Sequence, residues 1–113
     1  MALALALGKL YKEGKLPAKS LKEVLIDSVS AISIGMNKGE ILTDLDYNED
    51  SSCDVDMNFV IMGQGGFVEV QGTAEKKSFT KTDLDKMTEA AVKATTDLRA
   101  IQVSVLEKAG VTW

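Results

Sequence analysis

Histidine is absent from these 113 residues, and cysteine, arginine and proline occur once each. Without histidine there is no Ser-His or Cys-His catalysis, and a typical zinc site loses a principal ligand. Cys53, alone, forms no intrachain disulfide, which points to a reducing compartment and a cytoplasmic location. With Arg99 as its only arginine, the chain is short of the planar fork that grips phosphate in bidentate fashion. A net charge of −4 and a pI of about 4.8 argue against the isolated chain holding a polyanion, because affinity for nucleic acid comes mainly from lysine and arginine on phosphates. Long hydrophobic runs are missing as well. The opening Met1-Ala2-Leu3-Ala4-Leu5-Ala6-Leu7 is too short to span a bilayer, lacks a basic leader and runs straight into Lys9, Lys12 and Lys15, so no membrane partner is expected.

What is present suits one packed unit. Hydrophobic residues at 45% and charged residues at 27% are ordinary globular usage, and a chain of this length makes a single domain, here residues 1–113. Residues 1–13 are strong helix formers, with Leu3, Leu7 and Leu10 or Tyr11 at helical spacing and Gly14 at a C-cap position. This helix opens on Met1 without a polar cap, as the remainder of a longer one would. Pro17 marks a surface connection over residues 15–22. Strand character follows at residues 24–36, 41–47, 55–62 and 67–73. Asn37-Lys38-Gly39 suits a tight hairpin, Gly63-Gln64-Gly65-Gly66 another turn, and residues 48–54 an exposed acidic loop. Phe79 and Leu84 staple a helix capped by Thr80, and Leu84, Met87, Ala91, Ala94, Leu98, Ile101 and Val105 track one face of it until Gly110. Consecutive strands between terminal helices predict an α+β fold of four strands with one N-terminal and one C-terminal helix. Trp113 reads as tail and the five methionines as core filling.

The chemistry-bearing stretch lies between Asp44 and Asp56, where Asp44, Asp46, Glu49, Asp50, Asp54 and Asp56 crowd into one strand-loop-strand. Like charges so placed repel unless water, salt or a cation offsets them, and Mg²⁺ favours a few carboxylate oxygens with waters and substrate phosphate. The blander reading is a solvated acidic loop. An EF-hand is excluded, because no glycine lies between Glu40 and Gly63. Cys53 has no base to activate it and reads as a small loop filler. Val68 and Val70 alternate with Glu69 and Gln71 as in any half-buried strand, Gly72 marks a bulge or a close backbone approach, and Lys76 and Lys77 form a solvated pair or contact an RNA backbone.

Three linked strings carry a family likeness: Leu45-Asp46-Tyr47-Asn48-Glu49-Asp50-Ser51, then Val55-Asp56-Met57-Asn58, then Phe67-Val68-Glu69-Val70-Gln71-Gly72-Thr73-Ala74-Glu75. In this order, with Ser30-Ala31-Ile32-Ser33-Ile34-Gly35 before them, the chain resembles the C-terminal half of bacterial ribonuclease PH and its exosome-ring relatives. The resemblance implies a ribosomal protein S5 domain 2-like fold and a phosphate-dependent 3′–5′ exoribonuclease, a tRNA nucleotidyltransferase that releases nucleoside diphosphates. It further implies Mg²⁺ or Mn²⁺ on Asp50 and Asp56, taken as both the catalytic and the metal-binding residues, with inorganic phosphate as co-substrate. Glu49 and Asp54 are expected to stand behind that pair or in solvent.

One part of the family pattern is missing. The Gly-Thr-Arg motif that binds phosphate in the family's N-terminal half does not occur, since Gly72-Thr73 is followed by Ala74. Carboxylates alone oppose the approach of an anionic nucleophile to an anionic diester. The expectation is a chain inactive by itself, completed by an N-terminal half or a partner chain that brings arginines, acting on RNA 3′ ends within a homo-oligomer or ring. The alternative is a non-catalytic structural subunit or inactive fragment of an exosome-like ring, and a metal-dependent hydrolase acting alone is a weaker third.

Overall fold

The computed structural model describes residues 1–112; Trp113 lies outside the described residues. Helix α1 (Ala2–Lys12) is followed by a single 3₁₀ turn (Leu21–Glu23), strands β1 (Val29–Asn37) and β2 (Glu40–Thr43), helix α2 (Tyr47–Ser52), strands β3 (Val55–Met62) and β4 (Phe67–Ala74), and helix α3 (Lys81–Lys108). All four strands form one antiparallel sheet in the order β2-β1-β3-β4. The α+β architecture with a helix at each end is the expected one.

Strict alternation on β3 explains the layering. Val55, Met57, Phe59 and Ile61 are buried, whereas Asp56, Asn58 and Val60 are less so. The buried set meets Ile34 and Met36 of β1 and Met87 and Ala91 of α3 in the main core, closed at one edge by half-buried Phe79 and Leu84. Polar alternates therefore emerge on the opposite face of the sheet, which α3 leaves open. Gly72 lies opposite Met57, whose side chain fills the space where a Cβ at 72 would stand. It is a close approach, and the ladder irregularity falls instead at Val60/Ile61.

Turn chemistry follows the residues. Lys38 and Gly39 both have positive φ and join Asn37 to Glu40 in the two-residue hairpin. Gly14 and Gly110 also take positive φ just beyond α1 and α3, and the amides of Lys15 and Val111 close back on the carbonyls of Leu10 and Leu106. Thr80 caps α3 in a reciprocal box with Asp83.

Three segments depart from expectation. Residues 24–28 are not strand: the carboxylate of Asp27 accepts from the amides of Ser28 and Gln64, holding a turn there, and Ile26 stands 80% exposed. Strand β2 ends at Thr43, because Asp44 takes a φ of 63° that no strand continues through. Residues 47–52, expected as strand end and loop, form α2. On the helices, the buried faces are displaced from the expected stripes. In α1 it is Ala4, Leu5, Leu7 and Gly8 that turn inward, Gly8 directly under Val111, while Leu3 is exposed. In α3 the buried positions are Met87, Ala91, Thr95 and Leu106, and Ile101 and Val105 face out. At 28 residues and about 42 Å, α3 outruns the sheet, and its last turns pack with α1 in a second apolar cluster around Leu21, Leu106 and Val111.

Candidate active site

The acidic stretch sorts itself once it is folded. Asp46 is the N-cap of α2: its carboxylate accepts from the Glu49 amide at 2.8 Å, and the Glu49 carboxylate accepts from the Asp46 amide at 3.0 Å. This capping box is what makes a helix out of an acidic loop, since it satisfies two of the amides that a helix start leaves open. The Asp54 carboxylate accepts from the Lys38 amide at 2.8 Å and so ties the β1–β2 hairpin to the segment ahead of β3. Glu49 and Asp54 are thus committed to holding backbone in place. Lys76, expected as a solvated or RNA-contacting residue, donates its ammonium to the Ser52 carbonyl at 2.6 Å, a favourable place for a cation at the end of α2.

Three carboxylates of the stretch are left over: exposed Asp44, which lies outside the cleft that the other two line, and the pair Asp50 and Asp56. Among the described residues neither carboxylate of that pair has a hydrogen bond or ion pair. Asp50 projects from the first turn of α2 and is exposed, while Asp56 is half-buried near the start of β3, on the open face of the sheet. Both line one cleft of about 330 Å³ with Ser33, Leu45, Asp46, Tyr47 and Asn58. Partial burial raises the pKa of the Asp56 carboxyl above its ordinary range, and the charges of Asp50 and Glu75 raise it further. The pair therefore shares a single electrostatic environment that disfavours two negative charges. Glu75, one residue past β4, adds to that field, and the sequence offered no spacing signal that it would return to this point.

Cys53, the C-cap of α2, is not part of the cleft lining. Its thiol is buried against Gly35, and burial followed by the charges of Asp56 and Asp50 pushes its pKa up. A thiol held protonated in this way is packing and not a nucleophile.

The donor set bears on metal identity. Among the described residues, no three His, Cys, Asp or Glu side chains converge on a point that could hold a metal ion. A dedicated all-protein cage is therefore absent among them. Two oxygen donors beside an open polar cleft match the way Mg²⁺ is held, by one or two carboxylates with waters and phosphate completing the shell. Arg99, the only arginine, donates to the Gly63 carbonyl at the β3–β4 turn and does not line the cleft. No helix among the described residues is long and apolar enough to cross a membrane.

Comparison with known proteins identifies the family. The 3′ exoribonuclease family, domain 2, matches residues 27–94, which take in the sheet, α2 and the first half of α3. Ribonuclease PH of Bdellovibrio bacteriovorus is 50% identical over 106 residues, 94% of this chain and 42% of that protein. Ribonuclease PH of Frankia casuarinae is 51% identical over 84 residues, 74% of this chain and 34% of that protein. The chain spans less than half the length of these curated relatives. With most of its length matched and its α+β sheet in place, it belongs to the 3′ exoribonuclease family, as a domain 2 of the kind found in ribonuclease PH.

Proposed function

We propose that this domain supplies the metal-binding carboxylates of a phosphate-dependent 3′–5′ exoribonuclease that trims tRNA 3′ ends in the cytoplasm. One observation carries this reading: Asp50 and Asp56 face the same polar cleft while every other carboxylate between residues 44 and 54 that makes a hydrogen bond serves a cap or a turn. Asp50 and Asp56 would hold Mg²⁺ or Mn²⁺, and a divalent ion bound there supplies charge neutralisation for a reacting phosphoryl group and its leaving oxygen. The chain's own part is to hold two oxygens at fixed positions, one on a capped helix and one on a central strand. Rigid elements suit that task better than loops.

Inorganic phosphate, the second substrate on this reading, needs cations that these residues do not bring to the cleft. The arginines would come from an N-terminal half, whether on the same polypeptide or on a partner chain, within an oligomer or ring. The position of Arg99 away from the cleft also favours the second reading, a structural subunit or inactive fragment of an exosome-like ring. Combining the chain with an arginine-bearing ribonuclease PH N-terminal half and a tRNA with an extended 3′ end decides between them. Phosphate-dependent release of nucleoside diphosphates, absent from the chain alone and abolished by Asp50→Asn or Asp56→Asn, supports the enzyme. No release from the combined halves supports the structural subunit.

A further inference from the structure

The cleft carries side chains that holding a metal does not use. Tyr47, the first residue of α2, lies on its rim and is 82% exposed. Its backbone is fixed by the Asp46–Glu49 box beside it, so the ring is presented by a rigid mount. Asn58 lies two residues beyond Asp56 on the same strand face, and its cross-strand partners are Ser33 on β1 and Gln71 on β4. Hydroxyl, amide and amide thus form a polar row across three strands beside Asp56. Among the described residues, the Asn58 and Gln71 side chains have no hydrogen-bond partner.

Charge narrows what this surface can take. A protein of net charge −4 with one arginine gains little from phosphate contacts, the usual source of affinity for RNA. Stacking on an aromatic ring is the other main source for single strands, and it tolerates any base because every base has a π-face. An exposed tyrosine next to paired carboxylates is where a base would lie if its own phosphodiester were at those carboxylates. On the strength of the proposed function, we propose that Tyr47 is the stacking platform for the 3′-terminal base of single-stranded RNA, over a floor formed by Ser33 and Asn58. Tyr47 is then a substrate-binding residue that confers a preference for an unpaired base without reading its identity.

The test uses the 113-residue chain, the ribodinucleotide CpA and Mg²⁺, with tyrosine ring protons followed by NMR. Tyr11 is the internal control, since it lies on α1 with its hydroxyl given to the Lys19 carbonyl. Stacking moves the Tyr47 ring protons upfield and leaves Tyr11 in place. Tyr47→Phe keeps the affinity, Tyr47→Ala weakens it roughly tenfold, and a dinucleotide with an abasic 3′ end binds wild type and Tyr47→Ala alike. No shift at Tyr47, or equal affinity for Tyr47→Ala, overturns the platform. Asp56→Asn separates the underlying reading: if the Tyr47 shift loses its Mg²⁺ dependence, both stand, and if that dependence persists in the variant, the metal assignment fails while stacking survives.

Discussion

Gly35 of β1 lies directly opposite Asp56 of β3, and a methyl group at position 35 would meet Cys53 Sγ at 2.5 Å and Leu45 Cδ2 at 2.8 Å. The missing side chain lets the two ends of the α2 segment settle onto the sheet, so that Asp50 comes down beside Asp56. A residue with no chemistry of its own thereby sets the spacing of the two residues that have it.

Gly35→Ala is predicted to push Leu45 and Cys53 off the sheet at a cost of about 1–3 kcal/mol. Urea denaturation reads the loss, and a Mn²⁺ titration should show weakened binding with far-UV circular dichroism unchanged. Retained Mn²⁺ affinity would mean that α2 is positioned by other contacts.

Removing one charge of the pair should relieve repulsion. Without divalent ions, Asp56→Asn is expected to stabilise the domain by on the order of 0.5 kcal/mol, the scale of exposed charge pairs. With Mg²⁺ at a hundred times its dissociation constant, wild type gains about 2.7 kcal/mol and the variant gains almost none. Thermal melts with and without Mg²⁺ check both halves of this crossing pattern.

The cap of α3 contributes to stability at acid pH. Hydrogen bonds from the Thr80 amide and hydroxyl hold the Asp83 carboxyl below the usual carboxylate range. A depressed folded pKa means that the unfolded chain binds the proton more readily, so this contribution is complete above the ordinary aspartate value near 3.9 and is lost as pH falls through the lower folded value. Asp83→Asn should lower the urea midpoint at pH 7, and its difference from wild type should shrink by pH 2.5. A difference independent of pH would remove Asp83 as the cause.

Lys76 distinguishes scaffold from substrate contact. Its bond to the Ser52 carbonyl predicts that Lys76→Ala costs roughly 0.5–1 kcal/mol of stability, while the salt dependence of RNA binding by the completed enzyme stays as it was. A slope reduced by about one unit of log K against log salt would instead mark a phosphate contact.

The strands from residue 55 onward and the Thr80 cap are legible because alternation and capping are local signals; the packing honours the alternation on β3 and the cap of α3, whereas every residue of β4 is exposed, so the half-burial expected at residues 68–71 is not found. Strand β1 is shorter than its β-prone neighbours Val24 and Ile26 suggest, because the Asp27 carboxylate bonds to amides at 28 and 64, a partner 37 residues away that no local pattern reveals. Helix α2 is hidden in the sequence although Asp46 and Glu49 stand at capping-box spacing, because six acidic residues in thirteen read as a loop before their bonds are known. Asp50 and Asp56 came from family likeness alone. Spacing did not separate them from Asp46, Glu49 and Asp54; only the fold shows which carboxylates are already committed. Glu75 was out of reach for the same reason, being delivered to the cleft by the β3–β4 hairpin.

The most direct measurement is paramagnetic broadening of backbone amides by Mn²⁺ added in substoichiometric amounts to the labelled chain. Resonances of Tyr47, Asp50, Asp56 and Asn58 should broaden first in wild type and remain sharp in Asp50→Asn and Asp56→Asn. Broadening centred on Asp83, Asp85 and Glu89, or broadening of the cleft that survives both substitutions, would contradict the assignment of a divalent ion to Asp50 and Asp56.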